Sequence, residues 1–132
     1  MQPLDETVKD KYTLKLTTMG RRTGLRRVTT IWFGILDGKL YVSSGRGERS
    51  DWVRNIKSNA RVDVAIGEVR GQGIATIVRD PDIKKRLRKL YWKKYHVLMV
   101  FAEVGKILMR ISPAVSTPVL LELNDKSLKT ES

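Results

Sequence analysis

The chain has 132 residues, 41% of them hydrophobic, which suits one domain with a real core and argues against disorder except at the ends. With no cysteine and one histidine, disulfides, thiolate catalysis and cysteine-held metals are excluded, and no metal site is expected. A formal charge of +12 draws polyanions such as nucleic acid, anionic lipid, or a phosphorylated or polycarboxylate small molecule, although a heavily solvated charged surface carries the same count.

Residues 1–11 and 125–132 are polar and are expected to be flexible segments around a single domain over 12–124. Tyr12 to Thr18 alternates, with Tyr12, Leu14 and Leu16 on one face, and predicts a half-buried strand. After the loop GRRTGLRR, Arg27 to Leu36 predicts a second strand, with Ile31, Phe33 and Ile35 inward and Thr30, Trp32 and Gly34 on the other face. Asp37-Gly38 is a hairpin turn, because both residues tolerate positive φ, and Leu40 to Ser44 returns as a third strand.

SDWVRNIKSNA predicts a short helix capped by Ser50 or Asp51, with Trp52, Val53 and Ile56 as its apolar stripe. Val62, Val64 and Ile66 mark a fourth strand, and Val69 to Arg79 a fifth. Gly71 and Gly73 inside the fifth signal a bulge, a barrel corner or a close approach to the backbone. DPDIKKRLRKLYWKKY is the clearest helix, with Asp80 as cap, Pro81 in the first turn, and Ile83, Leu87, Leu90 and Tyr91 on one face. A second, more apolar helix is expected over Val97 to Ile111, ended by Ser112-Pro113, and TPVLLELN predicts a last strand facing Val119, Leu121 and Leu123 inward.

The order β-β-β-α-β-β-α-α-β, with hairpin-linked strands, argues antiparallel pairing. The fold class is mainly β or α+β: a six-stranded antiparallel barrel with flanking helices, since closure removes exposed edges. The apolar run Val97 to Ala102 is too short to span a bilayer, and no secretory leader opens the chain, so a cytoplasmic protein is expected.

The arginine loop is the most specific feature. Gly20 and Gly24 let the backbone turn and expose N–H groups, Arg21, Arg22 and Arg27 offer planar forks for phosphate or carboxylate oxygens, and Thr23 adds a hydroxyl. It is not a Walker loop, since no Gly-Lys-Ser/Thr closes it; its bland reading is a basic hairpin turn in water. Arg46 and Arg49 form a second basic cluster just before a helix start, which otherwise reads as a connecting loop. The seven basic residues between Lys84 and Lys94, with Trp92, suit nucleic acid or a membrane surface, or simply a charged helix face in water. His96 is imaginable as a general acid, but a lone histidine is more often structural. With no self-sufficient catalytic constellation, an enzyme built on this chain needs a cofactor.

Three stretches carry a resemblance. LTTMGRRTGLRRVTTIWF, from Leu16 to Phe33, resembles the opening motif of the deazaflavin-dependent nitroreductase family. DWVRNIKSNARVDVAI is similar to that family's second segment through Trp52, Asn55, Ile56, Asn59 and Val62, and STPVLLEL to its closing strand. The resemblance implies a split β-barrel of the pyridoxamine-oxidase-like, FMN-binding type. It also implies the 8-hydroxy-5-deazaflavin coenzyme F420, which bears a phosphate and an oligoglutamate tail, and hydride transfer to a small organic substrate. The implied cofactor-binding residues are Gly20, Arg21, Arg22, Thr23, Gly24, Arg27, Arg46, Trp52 and Asn55. Trp32 and Tyr91 are expected to wall a substrate pocket, and Tyr95 or His96 to donate a proton. Thr30 and Ala60 stand where the family usually has proline.

FMN is the alternative cofactor, since the same loop suits its phosphate. A basic nucleic-acid-binding barrel is the alternative of another class, although exposed stacking aromatics are few and no specific nucleic acid is expected. A homodimer follows from fold analogy alone. The stretch from Val97 to Ser116 is a candidate lid, dimer face or peripheral membrane contact.

Overall fold

The computed structural model describes residues 8, 11–44, 46–101, 117–124 and 129–130. β1 (Thr13–Met19), β2 (Arg26–Leu36), β3 (Lys39–Ser44), β4 (Arg61–Ile66), β5 (Val69–Ile77) and β6 (Thr117–Leu123) pair antiparallel in the order β4-β1-β2-β3-β6-β5. β4 also pairs with β5, from Arg61 opposite Ile74 to Ile66 opposite Val69, so the sheet closes into a six-stranded barrel.

Period-two alternation sorts the strands. Leu14 and Leu16, Phe33, Leu40 and Val42, Val62 and Val64, and Val119 and Leu121 fill the interior, with Ile31, Ile35 and Leu123 packed against them. Asp37 (φ 52°) and Gly38 (φ 76°) make the tight turn between β2 and β3. The helix α1 (Asp51–Ser58) joins β3 to β4 and sends Trp52, Val53 and Ile56 into the same core. Ser50 stands at its N-cap position but makes no capping bond; its hydroxyl bonds Ser44 instead.

The long helix α2 (Pro81–Phe101) lies on the outer face of β2, β3 and β6. There Leu87, Tyr91 and Tyr95 form a second core with Tyr41, Trp32, Leu36 and Leu120. Each buried aliphatic side chain in such a seam contributes roughly 1.5–3 kcal/mol. Asp80 caps the helix as expected, its carboxylate accepting the Asp82 N–H at 2.9 Å.

Several expectations are corrected. Tyr12 precedes β1 and is exposed, not inward, its ring tilted over Tyr95 at 5.9 Å. The helix does not break near His96: α2 runs unbroken to Phe101, because no glycine or proline interrupts Tyr95-His96-Val97. The rest of the second helix, residues 102–116, lies outside the described residues, as does the lid, dimer-face or membrane role expected there. β5 ends at Ile77, where the chain leaves the ladder and the Val78 N–H donates to the Pro118 carbonyl at 2.9 Å. In the N-terminal segment Val8 is buried in the barrel core, and in the C-terminal segment β7 (Lys129–Thr130) pairs with Val69 and Arg70.

Candidate functional site

Antiparallel pairing brings the β1–β2 loop and the β3–α1 loop out at one end of the barrel. The first loop is closed by its own backbone. Gly20 N–H donates to Leu25 O and Gly24 N–H to Gly20 O, both at 2.8 Å, while Thr23 Oγ1 accepts the Leu25 N–H at 3.2 Å. Gly24 sits at φ 70°, where a side chain is strained.

Arg21 is tied inward. Its N–H and Nη1 donate to Asn55 Oδ1 at 3.2 and 3.1 Å, and Nη2 reaches Asp51 Oδ1 at 3.4 Å. Asn55 Nδ2 in turn donates to Thr18 Oγ1 at 3.1 Å. Asn55, expected to bind the cofactor, is therefore buried with its oxygen committed to the loop. Trp52, also expected there, is 7% exposed and packs in the barrel core.

Arg22 and Arg27 are exposed on the first loop and at its exit, and Arg46 on the second; among the described residues none of the three has a carboxylate partner. Arg49 is likewise exposed, with no carboxylate partner among the described residues. Arg26, by contrast, pairs with Asp63 on the barrel's outer wall. The second loop is braced by Glu48, whose carboxylate meets Lys57 at 2.5 Å and Arg79 at 3.1 Å; these two donors hold its pKa below the usual carboxylate value. The result is unneutralised guanidinium charge at one barrel end, suited to an anion.

On the outer face of β2 the Trp32 ring stacks on Tyr95 at 4.0 Å and 5°, and Tyr91 meets Tyr95 edge-on at 5.6 Å. Tyr95 is fully buried, and its hydroxyl accepts the Phe33 N–H at 3.1 Å and faces the carbonyls of Phe33 at 2.9 Å and Tyr12 at 2.5 Å. It thus fastens α2 to the barrel. The next residue, His96, continues the helix, but its side chain lies outside the described residues. The hydroxyls of Tyr91 and Ser43 are buried without a hydrogen-bond partner among the described residues.

Burial pushes the Tyr91 and Tyr95 phenols well above the ordinary value of 10.0. Both keep their protons in the folded chain after an unfolded chain has lost them. Stability attributable to these groups is thus full below about pH 10 and falls as pH rises beyond it. Absorbance titration of tyrosinate should show at most two of the four tyrosines ionising before alkaline unfolding, with urea midpoints dropping only above pH 10. Four tyrosines titrating together in a folded chain would contradict the burial.

Two adjoining depressions, about 560 and 680 Å³, lie on the outer wall of β1, β4 and β5, sharing Thr17, Arg26, Asp63, Gln72 and Asn124. Among the basic residues of α2, Lys85, Arg88 and Lys89 are exposed, with Trp92 61% exposed beside them, whereas Lys94 is half-buried and donates to the Phe33 carbonyl at 3.0 Å. No helix among the described residues is long and apolar enough to cross a membrane.

Sequence reasoning missed Thr18, Asp51 and Glu48. Only Thr18 carried a signal, a hydroxyl in the inward register after Leu14 and Leu16, where a buried polar group needs a partner.

Solved structures share this architecture at low identity. An F420 reductase is 16% identical, with 99% of each chain covered and a TM-score of 0.68. The putative pyridoxamine 5'-phosphate oxidase from Listeria innocua is 17% identical over 95% of this chain and 92% of its own, with a TM-score of 0.62. The conserved hypothetical protein Rv2991 from Mycobacterium tuberculosis is 18% identical over 95% of this chain and 82% of its own, at 0.66. These likenesses show the fold, a split barrel. No curated protein matches the chain in sequence at a significant level. The family model described as F420H(2)-dependent quinone reductase matches residues 4–106, taking in both arginine loops, α1, the barrel through β5 and the whole of α2. The chain belongs to the F420H(2)-dependent quinone reductase family, and is an oxidoreductase whose cofactor is the deazaflavin coenzyme F420.

Proposed function

We propose that the arginine-bearing end of the barrel holds the phosphate and acidic tail of reduced F420, and that the acceptor is a quinone or similarly electrophilic small molecule taken on the Trp32 side of β2. The observation that carries this reading is the grouping of Arg22, Arg27 and Arg46 at one end with no carboxylate partner among the described residues. Family membership supports both the cofactor and a quinone as acceptor. The residues present fit an anionic cofactor: each charge-assisted contact contributes about 1.5–3 kcal/mol, and Gly24 keeps the loop free of a side chain where the ligand approaches. When bound, reduced F420 supplies the hydride.

The chain's own work is to bind, orient and exclude water. Trp32, fixed by its stack on Tyr95, gives a flat wall. Tyr91 stands behind it as packing. Tyr95 is committed to backbone groups, which leaves proton donation to His96. This reading sets the reaction in the cytoplasm, with a small molecule as partner.

The test is anaerobic mixing of reduced F420 with benzoquinone or menadione. The return of oxidised F420 absorbance is expected only when protein and quinone are both present, at a rate proportional to protein. Tight F420 binding with no quinone-dependent oxidation would make the chain a carrier or sensor instead.

A further inference from the structure

Asn55 is the one buried polar residue on the α1 face that otherwise presents Trp52, Val53 and Ile56. An amide in such a place is kept for its bonds. Its Oδ1 accepts both the main-chain N–H and the Nη1 of Arg21, at 3.2 and 3.1 Å. Turned over, the amide would set its own NH2 against these two donors, so Arg21 dictates which end faces the loop. The other end is held by Thr18, 1% exposed, whose Oγ1 accepts from Nδ2 at 3.1 Å. Without that hydroxyl the buried NH2 has no partner, and the side chain must swing to find one.

One oxygen thus fixes both the backbone and the guanidinium of Arg21. Asp51, its side chain 85% exposed, takes Nη2 from the solvent side at 3.4 Å. Among the described residues two of the five guanidinium N–H donors are engaged in this way, which leaves three that a ligand could take.

We infer that Thr18 and Asn55 are positioning residues for the cofactor's anionic group: neither touches it, and together they set Arg21 in place before the ligand arrives. This rests on the reading that the arginine loop binds F420. The gain is preorganisation, since a long, rotamer-rich side chain is ordered by the fold and not at the ligand's expense.

The test is a double-mutant cycle read by F420 fluorescence. Thr18→Val keeps the shape and removes the hydroxyl, and is expected to raise the F420 Kd about tenfold, whereas Thr18→Ser stays within about twofold of wild type. In an Arg21→Ala background Thr18→Val should add less than about twofold, because the group it positions is gone. A general packing defect would weaken binding equally in both backgrounds and would overturn the inference, as would an unchanged Kd for Thr18→Val. In the wild-type chain, amide exchange at Arg21 should be far slower than at Arg22 and Thr23. Equal exchange at the three would overturn the inference even if Thr18→Val fails to fold. If Arg21→Ala, Arg22→Ala and Arg27→Ala all leave Kd unchanged, the loop is not the cofactor site, a result separate from the positioning question.

Discussion

Replacing Arg22 and Arg27 together with alanine is expected to weaken F420 binding by about two to four orders of magnitude, since each lost charge-assisted contact costs roughly 1.5–3 kcal/mol. The fold should survive. Both side chains are exposed and neither is in an ion pair among the described residues, while the loop closes through the backbone bonds of Gly20, Gly24 and Leu25. Surface changes of this kind usually shift stability by no more than about 0.5 kcal/mol. The loss should shrink as salt is raised, because exposed charges are screened. Fluorescence titration at two salt concentrations, with a thermal melt of the same sample, gives the answer. A dissociation constant within a few-fold of wild type, at unchanged melting temperature, would move the anion site off this loop. Arg21→Ala is a different experiment, because that residue also ties the loop to α1.

Gly73→Ala is expected to damage the barrel itself. A Cβ there would overlap the Glu122 carbonyl, lying 2.9 Å from its carbon and 3.0 Å from Leu123 Cα. Those atoms are backbone of β6 and cannot rotate aside. Gly73 pairs with Leu123 on one side and Val62 on the other, so relief on one seam strains the other. The cost should be near the top of the overpacking range, about 3 kcal/mol, with a fall of roughly 10 °C in Tm. A variant melting within a degree or two of wild type would mean the β5–β6 seam is looser than described.

Much of the barrel was legible because alternation is clean in β1 and β4, while in β3 and β6 the cover of α2 buries outward residues such as Tyr41 as well. Val62, Val64 and Ile66 or Val119 and Leu121 announce an inward face whatever their neighbours are. Asp37-Gly38 and Asp80 were legible for a local reason: a turn and a cap are decided within four residues. The arginine loop was legible as a cluster of cations; it was not legible that Asp51 and Asp63 take up Arg21 and Arg26 while Arg22 and Arg27 have no carboxylate partner among the described residues.

What escaped was long-range pairing. Nothing near Asn55 in the chain says that its partners are 34 and 37 residues away, at Arg21 and Thr18. Tyr95 read as a catalytic phenol because sequence shows the hydroxyl and not the backbone of Phe33 and Tyr12 that engages it. Val8 escaped because a single valine among acidic and basic neighbours has no periodicity to betray burial. Asp51 read only as a candidate helix cap and Glu48 carried no signal, since their partners lie on other elements.

The knot at Tyr95 has a mechanical consequence. One phenol joins the late helix to the start of β1 and the middle of β2, so neither the opening hairpin nor the helix can peel away alone. Opening of this region is therefore all-or-none: a protease that cuts within the Leu87 to Tyr95 stretch must wait for the hairpin to let go, and the rate of nicking there reports the release of the first two strands.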